Sequence, residues 1–376
     1  MKNLLYKAHS FVRGSDFSAR KAIVFSLLSL GVLGSGVKAQ QVARPDRSSS
    51  VKHVIHISVD ALGGKYLEKF LQESPAEFPT FVQLIREGAA TMNARTDYSH
   101  TITLPNHTSM LTGRPVFTPT DWRESYGHYW QENTEFPGPK VPASLHATNP
   151  QGPGSYTASA FDVAHDAGLK TALYAGKAKF RVYTASFGAE LGAPHARGRN
   201  KIDSALIAND VFAPAMADLK LFQPNYAFLH FAEPDSVGHA FGYLGAEYRN
   251  AVKKVDGQLG ELLTFLKTDA AWKNRSVVIL SADHGGQPET QGHGDASHPF
   301  NYTIPFFVWG TGVKPGADLY ALNAATRTNP GEGRPVYAPT NQPIRNGDGG
   351  NLALRMLGLP AIPGSHINVR QNLAVR

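Results

Sequence analysis

HVIHISVDALGG, residues 53–64, decides the fold class. Its first seven residues carry the β-branched Val54, Ile55, Ile57 and Val59 with no turn former, and the run stops at Asp60 ahead of Gly63 and Gly64. That pattern predicts a buried strand running into a loop. Outward from it, residues 79–88 (PTFVQLIREG) place apolar side chains at helical spacing and end on glycine. Residues 159–168 followed by 170–175 repeat the order of helix, glycine and short strand. YAFLHF at 226–231 is a further strand, and 248–266 a long amphipathic helix. SVVILSA at 276–282 is a strand whose unbroken apolar middle implies burial on both faces, and TIPFFVW at 303–309 is the last clear strand. Such alternation predicts an α/β sheet flanked by helices. Residues 118–153 and 315–348 are rich in Pro, Gly and Asn without periodicity and read as long loops over the site.

The chain has 376 residues, 42% hydrophobic and 18% charged, enough for a substantial core and without the composition of disorder. Arg20 and Lys21 precede an apolar run, residues 22–37, that closes in Val37-Lys38-Ala39. This is the pattern of an export signal over residues 1–39, with residues 40–376 as a single domain. The run is rich in Gly and Ser and shorter than the roughly 20 residues a span needs, so no stable membrane anchor is expected after cleavage. The formal charge of +7 is concentrated in that leader, where Lys2, Lys7, Arg13, Arg20, Lys21 and Lys38 face only Asp16. The remainder carries no basic tract to track a phosphate backbone, so no nucleic-acid polymer is expected as a partner. Cysteine is absent, which excludes disulfides, thiolate metal sites and cysteine nucleophiles.

Three strands run into acidic residues: Asp60 after the first, Asp235 a few residues beyond 226–231, and Asp283 with His284 directly after 276–282. In an open α/β sheet the ligand crevice lies at the carboxyl ends of the strands, so these residues can meet there. DSVGH at 235–239 sets a carboxylate and an imidazole four apart, on one face of a helical turn, as a metal chelate requires. His293 sits between two glycines on the loop after DHGG. Three carboxylates and three histidines without a thiolate suit two divalent ions. SHTITLPNHTSMLTGRP at 99–115 contains Pro105, suited to a first helical turn, and Gly113, suited to its end. Thr103 then stands at a helix entrance, where backbone N–H groups favour an anion and a hydroxyl beside metal ions can attack phosphorus.

TLPNHTSMLTG from Thr103, together with SVD ending at Asp60, EPDSVGH ending at His239, SADHG around Asp283 and GHG around His293, resembles the alkaline phosphatase superfamily. Within it, the pattern is most similar to the nucleotide pyrophosphatase/phosphodiesterase (type I phosphodiesterase) branch. The resemblance implies a three-layer α/β/α sandwich with a mostly parallel central sheet. It also implies two Zn2+ ions, one held by Asp235, His239 and His293, the other by Asp60, Asp283 and His284, with Thr103 bridging as the nucleophile. Sulfatases of the superfamily need a formylglycine that threonine cannot form, and here Asn106-His107 replaces their Ser-Arg. The branch's phosphoryl-binding asparagine has no match in register; Asn133 and Gln131 are the candidates, and Lys177 in the AGKAK loop is a third substrate-binding candidate. His298 is a rival to His293, and His366 a weaker one. The expected activity is hydrolysis of a small phosphodiester or pyrophosphate in the periplasm or outside the cell. A phosphomonoesterase of the same superfamily, or a metal-stabilised binding protein without turnover, is the competing reading.

Overall fold

In the computed structural model the residues described are 50–119, 125–151, 155–188, 200–288, 290–337 and 341–376. The leader expected over residues 1–39 lies outside them. The strands are β1 (His53–Val59), β2 (Ala89–Arg95), β3 (Thr171–Ala175), β4 (Ser204–Ile207), β5 (Tyr226–Phe231), β6 (Ser276–Ser281), β7 (Thr303–Gly310) and β8 (Ala317–Asp318). They form one sheet in the order β4-β3-β5-β1-β6-β7-β2-β8. From β4 to β6 every pairing is parallel, β7 runs antiparallel to both β6 and β2, and β8 lies parallel to β2.

β1 is central, paired in register with β5 on one side and β6 on the other, and all seven of its residues are buried. This is why its sequence reads as apolar on both faces: a parallel strand covered on both sides has no solvated face to supply alternation. Among the helices, α1 (Gly64–Glu73) and α2 (Pro79–Glu87) pack against β2 and β7. α3 (Thr103–Thr112), α4 (Ala160–Asp166), α5 (Arg181–Phe187) and α6 (Phe212–Phe222) follow. Next come α7 (Glu233–Phe241), α8 (Ala246–Thr268), α9 (Pro299–Tyr302), α10 (Leu319–Leu322) and α11 (Asp348–Met356). α11 covers β1 and β6 and packs on α3 and α4, while α8 packs on α2 and α7, so helices cover both sides of the sheet. α8 buries Tyr248, Val252, Val255, Leu259, Leu262 and Leu266, a stripe at three- and four-residue intervals.

Because β1, β5 and β6 are parallel neighbours, their carboxyl ends form one crest. Asp60 N–H donates to Phe231 O at 2.9 Å and Ala61 N–H to Asp283 Oδ1 at 3.1 Å, tying the three strand ends together. The stretch 118–153 holds only a 3-10 turn, Leu145–Thr148, among its described residues. The stretch 315–348, read as a loop, contributes the edge strand β8 and the single-turn α10. No described helix is long and apolar enough to cross a membrane.

Candidate active site

Asp235 and His239 lie on α7, one turn apart as their spacing requires, and His239 Nε2 stands 3.4 Å from Asp235 Oδ1. His293 Nε2 stands 3.5 Å from the same oxygen and 3.2 Å from His239 Nε2. The second group is made by Asp60 Oδ1, 3.4 Å from His284 Nε2, and Asp283 Oδ2, 3.1 Å from that nitrogen. The two groups adjoin, since His284 and His293 stack with ring centroids 3.6 Å apart.

The histidine tautomers are set by backbone carbonyls. His239 Nδ1 donates to Gln291 O at 2.7 Å, His293 Nδ1 to Thr101 O at 2.6 Å and His284 Nδ1 to Gly285 O at 2.8 Å. In each neutral ring the Nε2 lone pair is therefore the one that faces the site, as in metal-ligating histidines. Between His239 and His293 two lone pairs face each other, which is unfavourable unless a cation lies between them. In the second group Asp60 Oδ1, Asp283 Oδ2 and His284 Nε2 are all buried without a hydrogen-bond partner among the described residues. Buried polar atoms are rarely left so. Tetrahedral zinc with Zn–N near 2.0–2.1 Å puts its ligand atoms about 3.3 Å apart, so both groups fit divalent ions in spacing and donor chemistry.

Charge is balanced by Lys177, whose largely buried side chain, 14% exposed, contacts Asp60 Oδ2 at 2.6 Å and also Asp235 Oδ2. Burial pushes the Asp60 carboxyl up, but Lys177, His230 and His284 more than reverse it and hold it well below the usual carboxylate range. Burial and the adjacent Asp60 charge push the Asp283 carboxyl up. For His284, burial opposes the charged form, yet Asp283 and Asp60 raise the imidazole to about 9, so in the metal-free chain Nε2 carries a proton that a bound cation would displace. His293 is lowered to about 3 by burial and by His284.

Thr103 is the first residue of α3 and is 1% exposed. Gly113 ends the helix in the left-handed region at φ 62°, as its sequence position suggested. The segment around Thr103 is tied to both groups. Thr101 and His293 exchange two hydrogen bonds, Oγ1 to O and Nδ1 to O. His107 Nδ1 donates to Thr103 O at 2.8 Å and lies 3.5 Å from Asp283 Oδ2, while its Nε2 meets Ser58 Oγ at 2.8 Å. Burial holds the His107 pKa well below its ordinary value, so this contact is not an ion pair.

Asn133 reaches the helix entrance: its Oδ1 accepts from Leu104 N–H at 3.0 Å, and Lys179 Nζ donates to its carbonyl oxygen at 2.9 Å. Gln131 is exposed and makes no hydrogen bond to the site among the described residues. His298 precedes α9 and lies outside both ligand groups, and His366 packs at a tilt against Tyr126, ring centroids 5.1 Å apart.

Two contributors escaped the sequence reading. Tyr243 donates to Asp235 Oδ1 at 2.9 Å. Its ring fills the space that Gly238 and Gly286 leave, where a Cβ would meet it at 2.1 and 2.2 Å respectively. The glycines of DSVGH and DHGG were the available signal. His230, inside YAFLHF, meets Asp60 Oδ2 at 3.0 Å; a histidine among apolar strand residues was its only mark.

The sheet crest thus gathers carboxylates and histidines beside a threonine-led helix, on an alkaline phosphatase-like fold. The sequence profile of the type I phosphodiesterase / nucleotide pyrophosphatase family matches residues 54–116 and 122–347, and the chain belongs to that family. Among solved structures, an inactive variant of mouse ectonucleotide pyrophosphatase/phosphodiesterase 5 in complex with AMP is similar with TM-score 0.55 at 15% identity, over 86% of this chain and 99% of that one. A protein of the alkaline phosphatase superfamily from Vibrio parahaemolyticus is similar with TM-score 0.52 at 15% identity, over 84% and 70%. GPI ethanolamine phosphate transferase 1 of Mus musculus is 31% identical over 140 residues, 35% of this chain. That match spans only 15% of the transferase's length.

Proposed function

We propose that the chain is an exported two-zinc hydrolase that cleaves phosphodiester or pyrophosphate bonds through a covalent intermediate on Thr103. The observation that carries this reading is the trio of buried ligand atoms without partners, Asp60 Oδ1, Asp283 Oδ2 and His284 Nε2, on a crest shared with the threonine-led helix. In this reading they hold one ion, and Asp235, His239 and His293 hold the other. When bound, the ions supply Lewis-acid stabilisation of phosphoryl oxygens and favour the deprotonated hydroxyl.

Thr103 Oγ1 forms a bond to phosphorus as the bond to the leaving oxygen breaks, and water then cleaves the phosphothreonine and restores the hydroxyl. The Thr103 N–H has no acceptor among the described residues, and in this reading it takes a phosphoryl oxygen at the positive end of α3. Leu104 N–H can be met only by an oxygen, which orients the Asn133 amide and leaves Nδ2 free of acceptors among the described residues. That amino group is the second donor to the phosphoryl group. The AMP complex of the mouse relative supports a nucleotide-like substrate. The transferase relative supports a second outcome, in which an alcohol replaces water as the acceptor. The leader-like residues 1–39 support a periplasmic or secreted location.

The test compares zinc-loaded protein on a nitrophenyl nucleotide diester and a nitrophenyl phosphate monoester, with metal content measured alongside. Faster diester cleavage, abolished by a chelator, is expected. Faster monoester cleavage would make the chain a phosphomonoesterase, and a zinc-loaded protein that cleaves neither would be a binding protein.

A further inference from the structure

His230 is the penultimate residue of β5 and is fully buried. Gly176 N–H donates to its Nδ1 at 3.1 Å. An amide N–H can be met only by a lone pair, so Nδ1 carries no proton and the ring's hydrogen sits on Nε2, 3.0 Å from Asp60 Oδ2. Phe180 stacks on the ring at 4.3 Å and His107 meets it edge-on at 4.9 Å, which fixes its plane. Lys177, the residue after Gly176, donates to the same Asp60 Oδ2 at 2.6 Å. One oxygen of Asp60 thus has two donors, while the other has none and faces His284 Nε2 at 3.4 Å.

We propose that His230 is a positioning residue of the metal centre: its Nε2–H, together with Lys177, occupies the outer oxygen of Asp60 and leaves Oδ1 alone to face an ion. Nothing in the motifs that mark the family assigned this residue a part. The proposal rests on the metal reading above. Partners of this kind orient a ligating carboxylate, and their loss typically weakens metal binding by about 10–100-fold.

The experiment measures zinc affinity by chelator competition, without substrate, in wild type, His230→Gln, His230→Asn and His230→Leu. Gln sets an amino group where the ring's Nε2 stood, whereas Asn reaches only to the Nδ1 position and Leu offers no donor. His230→Gln is expected to stay within about threefold of wild type, and His230→Asn and His230→Leu to lose about 10–100-fold at one of the two ions. Metal-free unfolding midpoints are measured for every variant, so that weaker zinc binding by a folded variant is separated from general destabilisation. Equal zinc affinity in the Gln variant and in whichever of the Asn and Leu variants folds overturns the proposal alone. Wild-type protein that takes up no zinc overturns the metal reading and this proposal with it.

Discussion

Lys177 joins Asp60 to Asp235, carboxylates assigned to different ions. Lys177→Met leaves those carboxylates without their buried counter-charge in the metal-free chain. Breaking a buried pair from one side typically costs about 3–5 kcal/mol, so the urea midpoint of chelator-treated protein should fall accordingly, and zinc should recover much of it. A substrate contact alone would leave the metal-free midpoint unchanged. At this scale the residues that gather at the crest could be picked out as candidate ligands because chemistry-bearing residues at strand ends have few other reasons to recur. The partner of Lys177 was not: a lysine in a glycine-bounded loop shows its charge in the sequence but not the direction of its long side chain. His230 was hidden for the opposite reason, since a buried strand histidine looks the same whether it serves a carboxylate or the core.

α7 shows how an element carries the site. Asp235 and His239 share a face because they are four apart, and Gly238 between them lets Tyr243 reach Asp235. Gly238→Ala would bring a methyl to within 2.1 Å of the Tyr243 ring, which must shift. The expected cost is about 1–3 kcal/mol of stability, with zinc weakened at the Asp235 ion; calorimetry with and without zinc checks both. Normal zinc affinity in the variant would detach Tyr243 from the ligand geometry. On α3, Thr103→Ala should keep both ions yet lose turnover by about 10³-fold or more, while Thr103→Ser retains a measurable part. A mere helix-entrance residue would instead lose about 1 kcal/mol of stability and keep its chemistry. Most elements were legible, and β5 was bounded correctly, because strands buried on both faces read as apolar runs. β2 was not: AATMNAR has little β-branched content, and it becomes a strand through antiparallel pairing with β7, which no local pattern displays.

Across the whole molecule, burial also sets the response to acid. His56 and His128 are fully buried and lowered to about 3 by desolvation, against about 6.5 in the unfolded chain. Between those values the unfolded state binds the extra protons, so stability falls as pH falls. The loss from pH 7 to pH 5 should be about 2 kcal/mol per histidine. His56 Nε2 has no partner among the described residues, so His56→Leu is a fitting control. In chelator-treated protein, that variant should lose about 2 kcal/mol less than wild type over this interval by urea titration. An unchanged loss would show that His56 is not held neutral. The proposed function of the whole molecule turns on a covalent bond to phosphorus at Thr103. Zinc-loaded protein should be acid-quenched while turning over a nitrophenyl nucleotide diester, and the peptide spanning residues 99–114 examined by mass spectrometry. A nucleotidyl adduct on Thr103, absent from Thr103→Ala, is the expected result. An adduct on another residue, or full-rate turnover by Thr103→Ala with this peptide unmodified, would contradict it.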